Sequence, residues 1–150
     1  QIINKKINLS DRIDMEKSDK DLYRKYEKHK LFSLENEKKV VPYHKLFIFF
    51  MSIGIIYDKK KPIIKRWNNV TVSGLSEKYV YLIAALSYAS NGDENLTRPS
   101  AIANEAAEFA KGGLHYLDER IDKDGVDVFL KELTIELKKK CDLLSSHLNL

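Results

Sequence analysis

One segment constrains the fold of this chain more than any other. Residues 43–57 (YHKLFIFFMSIGIIY) are apolar at nearly every position. The length of this run favours a helix, although its Ile and Phe content and the interruption at Gly54 also fit a buried strand. A helix that is apolar on nearly every side must be surrounded by protein. We therefore expect residues 43–57 to form the central helix of the core.

The rest of the chain can build a helical shell around that segment. The chain has 150 residues, 43% of them hydrophobic and 32% charged, which is typical of one folded domain with a charged surface. Residues 1–14 show no sustained periodicity and are predicted to be a flexible lead-in, and residues 15–150 to be a single helical domain. Helical spacing and start or stop signals predict further helices at 15–32, 76–91, 97–111, 114–121 and 126–144.

The predicted fold class is therefore all-α, a compact bundle of five to six helices. The break after the central helix is assigned to Asp58–Pro62, because the ring of Pro62 excludes helix continuation. Residues 63–72 fit either a small hairpin that turns at Asn68-Asn69 or an extended loop held by Trp67.

The segment Glu105–Leu114 combines small residues with two adjacent glycines. Its spacing predicts a helix end, a glycine stop and a restart at His115. The alanines of this segment allow a neighbouring helix to approach closely, either inside the fold or across a two-fold axis: Ala106, Ala107 and Ala110.

Composition bears on compartment and on partners. The single cysteine, Cys141, excludes an internal disulfide framework and a cysteine-rich metal site, and it suits a reducing cytoplasm. The most apolar run, Leu46–Tyr57, is shorter than the roughly 20 residues of a membrane span, so we expect no membrane association. Residues 1–66 contain 17 Lys/Arg against 9 Asp/Glu, whereas residues 67–150 contain 9 against 13. This asymmetry fits one-sided contact with nucleic acid, head-to-tail self-association, or uneven surface charge without a function.

Signals of enzyme chemistry are nearly absent. The four histidines show no metal-ligand spacing, and no glycine-rich phosphate loop or nucleophile elbow occurs. The Asp122–Gly125 stretch resembles part of a calcium loop, but the alignment places Arg120 and Lys131 where carboxylates are needed, so it is interpreted as a turn. We therefore expect no catalytic residues, no metal and no cofactor. The weakest alternative is a metal-dependent enzyme built from an acidic cluster and one histidine: Glu105, Glu108, Asp118 and His115.

A basic segment follows the central helix. Five cations and an indole fall within nine residues: Lys59, Lys60, Lys61, Lys65, Arg66 and Trp67. Such a segment can hold phosphates while the indole stacks on a base. The alternative is a solvated loop whose tryptophan packs into the core, which is the commoner use of an indole.

Two segments resemble a known family. Residues 46–55 (LFIFFMSIGI), closely followed by Lys59–Pro62, resemble a segment in which an apolar helix leads to x-Gly-Phe, basic residues and Pro-Leu. Residues 108–114 (EFAKGGL) resemble a Glu-Tyr-Ala-Asn-Gly-Gly-Ile signature, from which they depart at Phe109, Lys111 and Leu114. Both look like the small accessory proteins encoded beside DNA phosphorothioation (Dnd-type) and other bacterial antiphage defence systems. The similarity runs in order from about residue 31 to residue 138.

The resemblance implies a helical accessory subunit of a defence complex that works beside a larger ATPase or nuclease. It supplies no catalytic residues, and its signature positions have a structural character: Glu108, Phe109, Gly112 and Gly113. The leading hypothesis is thus a non-enzymatic subunit that binds protein partners and contacts DNA through residues 59–67. The second is a stand-alone DNA-binding regulator, and a homo-oligomer is compatible with either.

Overall fold

The computed structural model describes residues 12–32, 40–71, 77–91 and 99–148. Its α-helices are α1 (Lys20–Tyr26), α2 (Tyr43–Ile56), α3 (Glu77–Asn91), α4 (Pro99–Asp124) and α5 (Val126–His147). The described residues also form two short strands, β1 (Arg12–Glu16) and β2 (Arg66–Thr71). Two 3-10 turns lie at Lys17–Asp19 and Lys30–Phe32. The predicted all-α fold is confirmed, with a small two-stranded sheet added to it. In the described part of the chain, no helix is both long and apolar enough to cross a membrane.

Helix α2 is the centre of the core, as its apolar sequence predicts. Its inward side chains are buried almost completely: Leu46, Phe47, Phe50, Met51 and Ile53. The rings of Tyr23 and Tyr26 on α1 meet Phe50 edge-on, with centroids 5.2 and 5.7 Å away. The largest apolar side chains thus surround one helix, which burial of a nearly uniform apolar surface requires.

Helix α4 is continuous from Pro99 to Asp124, so the predicted stop at Gly112-Gly113 and the separate helix at 114–121 are wrong. The glycines do not cap a helix. They lie in its middle, where it crosses α2, and they are buried. The predicted alanine face is buried within the chain itself: Ala103, Ala106, Ala107 and Ala110.

The crossing of α2 and α4 brings the two backbones into direct contact. A Cβ atom added to Gly113 would lie 1.8 Å from the carbonyl oxygen of Phe50, and one added to Gly54 would lie 2.1 Å from that of Phe109. A Cβ on Gly112 would lie 2.3 Å from the carbonyl oxygen of Lys59, just beyond the end of α2. No side chain fits at these three positions without moving a backbone, so glycine is required by close approach.

The end of α2 is set by a hydrogen-bonded C-terminal turn. Asp58 adopts a left-handed conformation with φ of 51°. The amide of Lys59 donates to the carbonyl of Gly54 (2.7 Å), and the amide of Asp58 donates to that of Ile55 (3.3 Å), as in a Schellman motif. This turn places the carbonyl of Lys59 against Gly112, so the motif that ends α2 also packs on α4 beside the crossing.

The sheet joins segments that are distant in sequence. Strand β2 pairs antiparallel with β1, with Met15 opposite Trp67 and a register shift between Ile13 and Asp14. The described part of the range 63–72 therefore contributes a strand, and Asn68-Asn69 lie within this strand and not at a hairpin turn. Residues 12–14 were predicted to be part of the flexible lead-in, but they belong to β1, where Ile13 is fully buried. The helix predicted at 15–32 is shorter in the structure, where it is limited to α1. The rest of the predicted lead-in lies outside the described residues.

The remaining helices agree with the predictions where they are described. Helix α3 lies against α4 with Ile83 and Ala84 buried, and residue 76, where this helix is predicted to begin, lies outside the described residues. The turn predicted at Asp122–Gly125 is shorter than expected, because α4 continues to Asp124 and only Gly125, at φ of 84°, separates it from α5. Helix α5 extends to residue 147, beyond its predicted end.

Substitution of Gly113 by Ala tests the helix crossing. We expect a loss of at least about 3 kcal/mol in the free energy of unfolding, because the added methyl group meets a backbone oxygen rather than a movable side chain. Urea denaturation measures this loss. The matched control is Gly125→Ala, where the added Cβ meets nothing within 4 Å. The backbone alone is then strained, because φ of 84° with ψ of 166° belongs to a region that is almost exclusive to glycine, at a cost of about 1 to 3 kcal/mol. Equal effects at the two glycines would contradict the packing described for the crossing.

Candidate functional site

The basic segment lies across the middle of α4. After α2 ends, residues 57–65 run over this helix, and the amide of Lys61 donates to the carbonyl oxygen of Glu108 (3.1 Å). The segment then enters β2, which pairs with β1. The predicted phosphate-binding residues are therefore mounted on a rigid part of the fold, next to the helix crossing.

Two of the predicted phosphate-binding cations have acidic or polar partners within the fold. The ammonium of Lys60 lies 3.5 Å from a carboxylate oxygen of both Glu105 and Glu108. The guanidinium of Arg66 lies 3.0 Å from Asp14 and donates to the side chain of Asn104 at 3.2 Å. A phosphate group would have to compete with these partners, so Lys60 and Arg66 act first as ties between the segment, β1 and α4.

The tryptophan is also engaged by the fold. Trp67 is partly buried against the core, and its ring meets that of Tyr43 edge-on at 6.3 Å between centroids. The ammonium of Lys20 lies 5.3 Å from the centroid of the Trp67 ring. One side of the indole is therefore used in packing and another carries a cation, which agrees with the packing alternative for this residue.

Some of the lysines that are most accessible to a ligand lie outside the basic segment, residues 59–67. Lys61 and Lys65 are exposed, and no described carboxylate forms an ion pair with either. The amide of Lys17 donates to the carbonyl of Lys65 (2.8 Å), which brings the exposed Lys17 beside it, and Lys20 follows over Trp67. We call these four exposed lysines, 17, 20, 61 and 65, the basic surface. The first two are missed by sequence spacing because they lie more than forty positions before the others.

Beneath this surface, Glu16 fastens three elements together. Its buried carboxylate accepts hydrogen bonds from the amides of Ile64 (2.8 Å) and Lys65 (2.9 Å) and from the ammonium of Lys111 (2.9 Å). Lys111 also donates to the carbonyl of Pro62 at 2.7 Å. Burial by itself raises the pKa of Glu16, but the three hydrogen bonds and the Lys111 charge outweigh it and lower the pKa to about 2. We call this arrangement the Glu16 clamp.

Two further polar pairs join α4 to the start of the described chain. The imidazole Nε2 of His115 lies 2.8 Å from the buried Asp19 carboxylate. Asp118 accepts hydrogen bonds from the ammonium of Lys25 (2.6 Å) and the hydroxyl of Tyr26 (2.8 Å). The hydrogen bond from its ammonium to Asp118 raises the pKa of Lys25. The pKa of Tyr26 is raised mainly by burial and secondly by its own hydrogen bond to Asp118.

These pairings decide how the weakest hypothesis, a metal-dependent enzyme, fits the structure. Glu105 and Glu108 face Lys60, His115 faces Asp19, and Asp118 faces Lys25. The four groups of that hypothesis are thus divided among three separate contacts. Within the described ranges, no three His, Cys, Asp or Glu side chains are grouped closely enough to hold a metal ion.

Four residues of the 108–114 segment lie at or beside the helix crossing: Glu108, Phe109, Gly112 and Gly113. Phe109 is buried and lies beneath the ammonium of Lys60, 5.4 Å from the ring centroid. Gly112 and Gly113 contact the backbone of α2 and its C-terminal turn, and Glu108 contacts the basic segment through its carbonyl and its carboxylate. In this chain, these four residues therefore serve the packing of α4 on α2 and on the segment that follows it.

Comparison of the chain with protein families, with curated proteins and with solved structures found no match.

The Glu16 clamp predicts a specific dependence of stability on pH. Because the pKa of Glu16 is about 2 in the folded protein and 4.5 ordinarily, its contribution is complete above pH 4.5 and is lost as the pH falls towards 2. We expect Glu16→Gln to lower the free energy of unfolding at pH 7 by about 1 to 3 kcal/mol, because an amide cannot accept all three hydrogen bonds. Glu16→Gln should also flatten the profile between pH 4.5 and 2.

Urea denaturation at a series of pH values measures both effects. The matched control is Glu119→Gln on the exposed side of α4. This control should keep the acid limb of the wild-type profile. If Glu16→Gln keeps that limb as well, the clamp does not couple folding to protonation.

The basic surface gives a direct test of contact with DNA. We expect duplex DNA to bind at about 50 mM salt, and Lys61→Glu with Lys65→Glu to weaken binding at least about tenfold and to reduce the salt slope by about 2. Fluorescence anisotropy over a salt series measures this. The control makes the same charge change on α5, as Lys138→Glu with Lys139→Glu. Equal weakening by both pairs, or no binding at low salt, would exclude this surface as a nucleic-acid interface.

Proposed function

We propose that this chain is a non-enzymatic accessory subunit of a prokaryotic antiphage defence complex, that it is cytoplasmic, and that it acts through contacts with a larger protein such as an ATPase or a nuclease. The observation that carries the proposal is the position of the two segments that resemble the defence-associated family. These segments, 46–62 and 108–114, are distant in sequence and pack directly on each other.

This contact gives the resemblance a physical meaning. The glycine of the first segment, Gly54, lies against the carbonyl of Phe109 in the second, and Gly113 of the second lies against the carbonyl of Phe50 in the first. The backbone hydrogen bond from Lys61 to Glu108 joins their ends. A relative that retained both sequence patterns would also retain this helix crossing. Common descent would preserve such a crossing, whereas two matches that arose by chance would have no reason to lie in contact.

The polar groups of the described residues favour a scaffold over a catalyst. The carboxylates of Glu16, Asp19 and Asp118 each face a cation, a histidine or a hydroxyl group inside the fold. Such pairs fix the elements relative to one another. A general acid or base instead needs a reacting group within hydrogen-bond reach.

A second function is favoured by one observation, the exposure of Lys61 and Lys65 beside Lys17 and Lys20. In the accessory subunit, this basic surface would hold DNA near the partner enzyme. In the alternative, a stand-alone DNA-binding regulator, it would bind a specific site without a partner. Sequence-specific retention at physiological salt by the purified chain alone would favour the regulator.

The accessory role predicts a stable complex and a phage phenotype. We expect the tagged chain, produced from its own locus, to co-purify with a larger protein encoded beside it, and deletion of its gene to lower resistance to phage. Affinity purification with mass spectrometry and plaque assays measure these outcomes. Recovery of the chain alone, together with unchanged resistance after deletion, would contradict the proposal.

One variant separates the accessory role from enzyme activity. Glu108→Gln removes a carboxylate at the signature but keeps its shape, and the contact it loses is a partly exposed one of 3.5 Å with Lys60. Because such a pair is worth no more than about 1 kcal/mol, the variant should fold and give full resistance. Loss of resistance in a folded Glu108→Gln protein, with divalent metal retained by the wild type after dialysis, would favour the enzyme hypothesis instead.

A further inference from the structure

The C-terminal half of α5 projects beyond the body of the protein. Phe129 and Leu133 are the buried residues of this helix, and Phe129 packs near Tyr57, with ring centroids 6.4 Å apart. From Leu137 to Leu148, every residue is exposed. Helices of this length are marginal in water without packing, so an apolar face here needs an explanation beyond the fold of the isolated chain.

Helix α5 carries an apolar seam that is exposed along its whole length. The seam residues recur at alternating spacings of four and three, the spacing of a two-helix coiled coil: Leu130, Thr134, Leu137, Cys141, Leu144 and Leu148. The four leucines are 39%, 42%, 63% and 59% exposed, in chain order. The Thr134 hydroxyl donates to the Leu130 carbonyl (2.8 Å), so its hydrogen-bonding capacity is used within the helix.

The first turns of this seam offer a place for a partner's side chain. A shallow depression of about 380 Å³ is lined by four residues: Leu130, Lys131, Thr134 and Ile135. Two of these residues, Leu130 and Thr134, belong to the seam, so the depression lies along one side of it. The depression lies where the seam leaves the body, so a partner helix can begin there and continue along the projecting half.

The charges beside the seam have one sign. At the positions that flank a coiled-coil seam, α5 carries lysines on both sides: Lys131 and Lys138 on one, Lys140 on the other. Lys140 has a distant contact with Glu136 at 4.0 Å, whereas Lys131 and Lys138 have no ion-pair partner among the described residues. Flanking charges select the partner in coiled coils, and three lysines select carboxylates.

We propose that the seam on α5 is a docking site for an amphipathic helix of a partner protein, with leucine-like residues along its own seam and Asp or Glu residues beside them. The inference deepens the proposed accessory role, on which it rests, by naming the surface and the chemistry of the contact. The occupied length is roughly 27 Å, given a rise of 1.5 Å per residue. A single helix pair of this length is a small interface, which favours a transient contact of micromolar strength.

A second copy of this chain does not supply the required charges. In antiparallel self-pairing, Lys138 would face Lys138 and Lys140 would face Lys140 of the other copy. In parallel self-pairing, these lysines would meet Ser145 and Leu133 instead of carboxylates. Like charges across such a seam oppose pairing, so the seam discriminates against itself and in favour of an acidic helix.

The test uses the purified full chain and two labelled four-heptad peptides. Both peptides have Ile and Leu at the seam positions, and they differ only at the flanking positions, with Glu in one and Lys in the other. We expect the Glu peptide to bind at least about tenfold more tightly by fluorescence anisotropy, because three charge pairs of about 0.5 kcal/mol each make this difference. The reaction of Cys141, the one cysteine of the chain, with a thiol reagent should slow when the Glu peptide is bound.

Matched variants locate the site. Leu137→Ser with Leu144→Ser should weaken binding at least about tenfold, given the apolar area removed from the contact. Val128→Ser with Leu143→Ser removes similarly exposed apolar residues outside the seam and outside the depression, and should leave binding unchanged. Reversal of all three flanking charges, as Lys131→Glu, Lys138→Glu and Lys140→Glu, should transfer the preference to the Lys peptide. All the substituted side chains are exposed, and circular dichroism checks folding of every variant.

Several outcomes would overturn the proposal. Equal affinity for the two peptides would remove the charge argument, and equal losses in the two double-serine variants would remove the seam. A wild-type dimer that Leu137→Ser with Leu144→Ser dissociates would assign the seam to a second copy. The peptide test needs neither phage nor a native partner, so it can fail while co-purification succeeds, and the reverse also holds.

Discussion

The structure depends on the contact between the backbones of α2 and α4. Three glycines allow it: Gly54 on α2, and Gly112 and Gly113 on α4. With no side chain between them, the two helices approach until a carbonyl oxygen of each lies over a glycine of the other. The apolar residues of α2 and the alanine face of α4 belong to one buried core at this crossing. The turn after α2 shares the contact, because the Lys59 carbonyl rests on Gly112.

The polar contacts of the protein are arranged around this crossing. The basic segment leaves the end of α2 and is tied to α4 through Lys61, Lys60 and the Glu16 clamp. His115 and Asp118 hold the chain that precedes α2 against the second half of α4. Each of these charged groups therefore has a structural use. This agrees with the proposed accessory role, in which the exposed lysines and the α5 seam are the surfaces offered to partners.

The two surfaces differ in kind. The basic surface around Lys61 and Lys65 is a set of positive charges on well-packed elements. It suits an anion whose detailed shape does not affect recognition. The α5 seam is an apolar stripe with lysines beside it, suited to one shape and one sign of charge. An accessory subunit that joined a protein partner to DNA would use both. They lie on different elements, so occupation of one leaves the other open to its own ligand.

The sequence by itself determined the central helix, the alanine face and the helical class, because these follow from apolar periodicity within single segments. It also displayed the seam spacing of α5 and the cations of residues 59–67. The sequence could not show whether Gly112 and Gly113 end a helix or allow a second helix to pack closely, since small residues precede glycine in both cases. The position of the Phe50 carbonyl oxygen against Gly113 decided in favour of close packing. Nor could the sequence pair β2 with β1, or Lys60 and Arg66 with their acidic partners, because those partners are tens of residues away and only the folded chain brings them together. Exposure of the seam is tertiary information too, since Leu133 and Leu137 are alike in sequence and the body covers only the first.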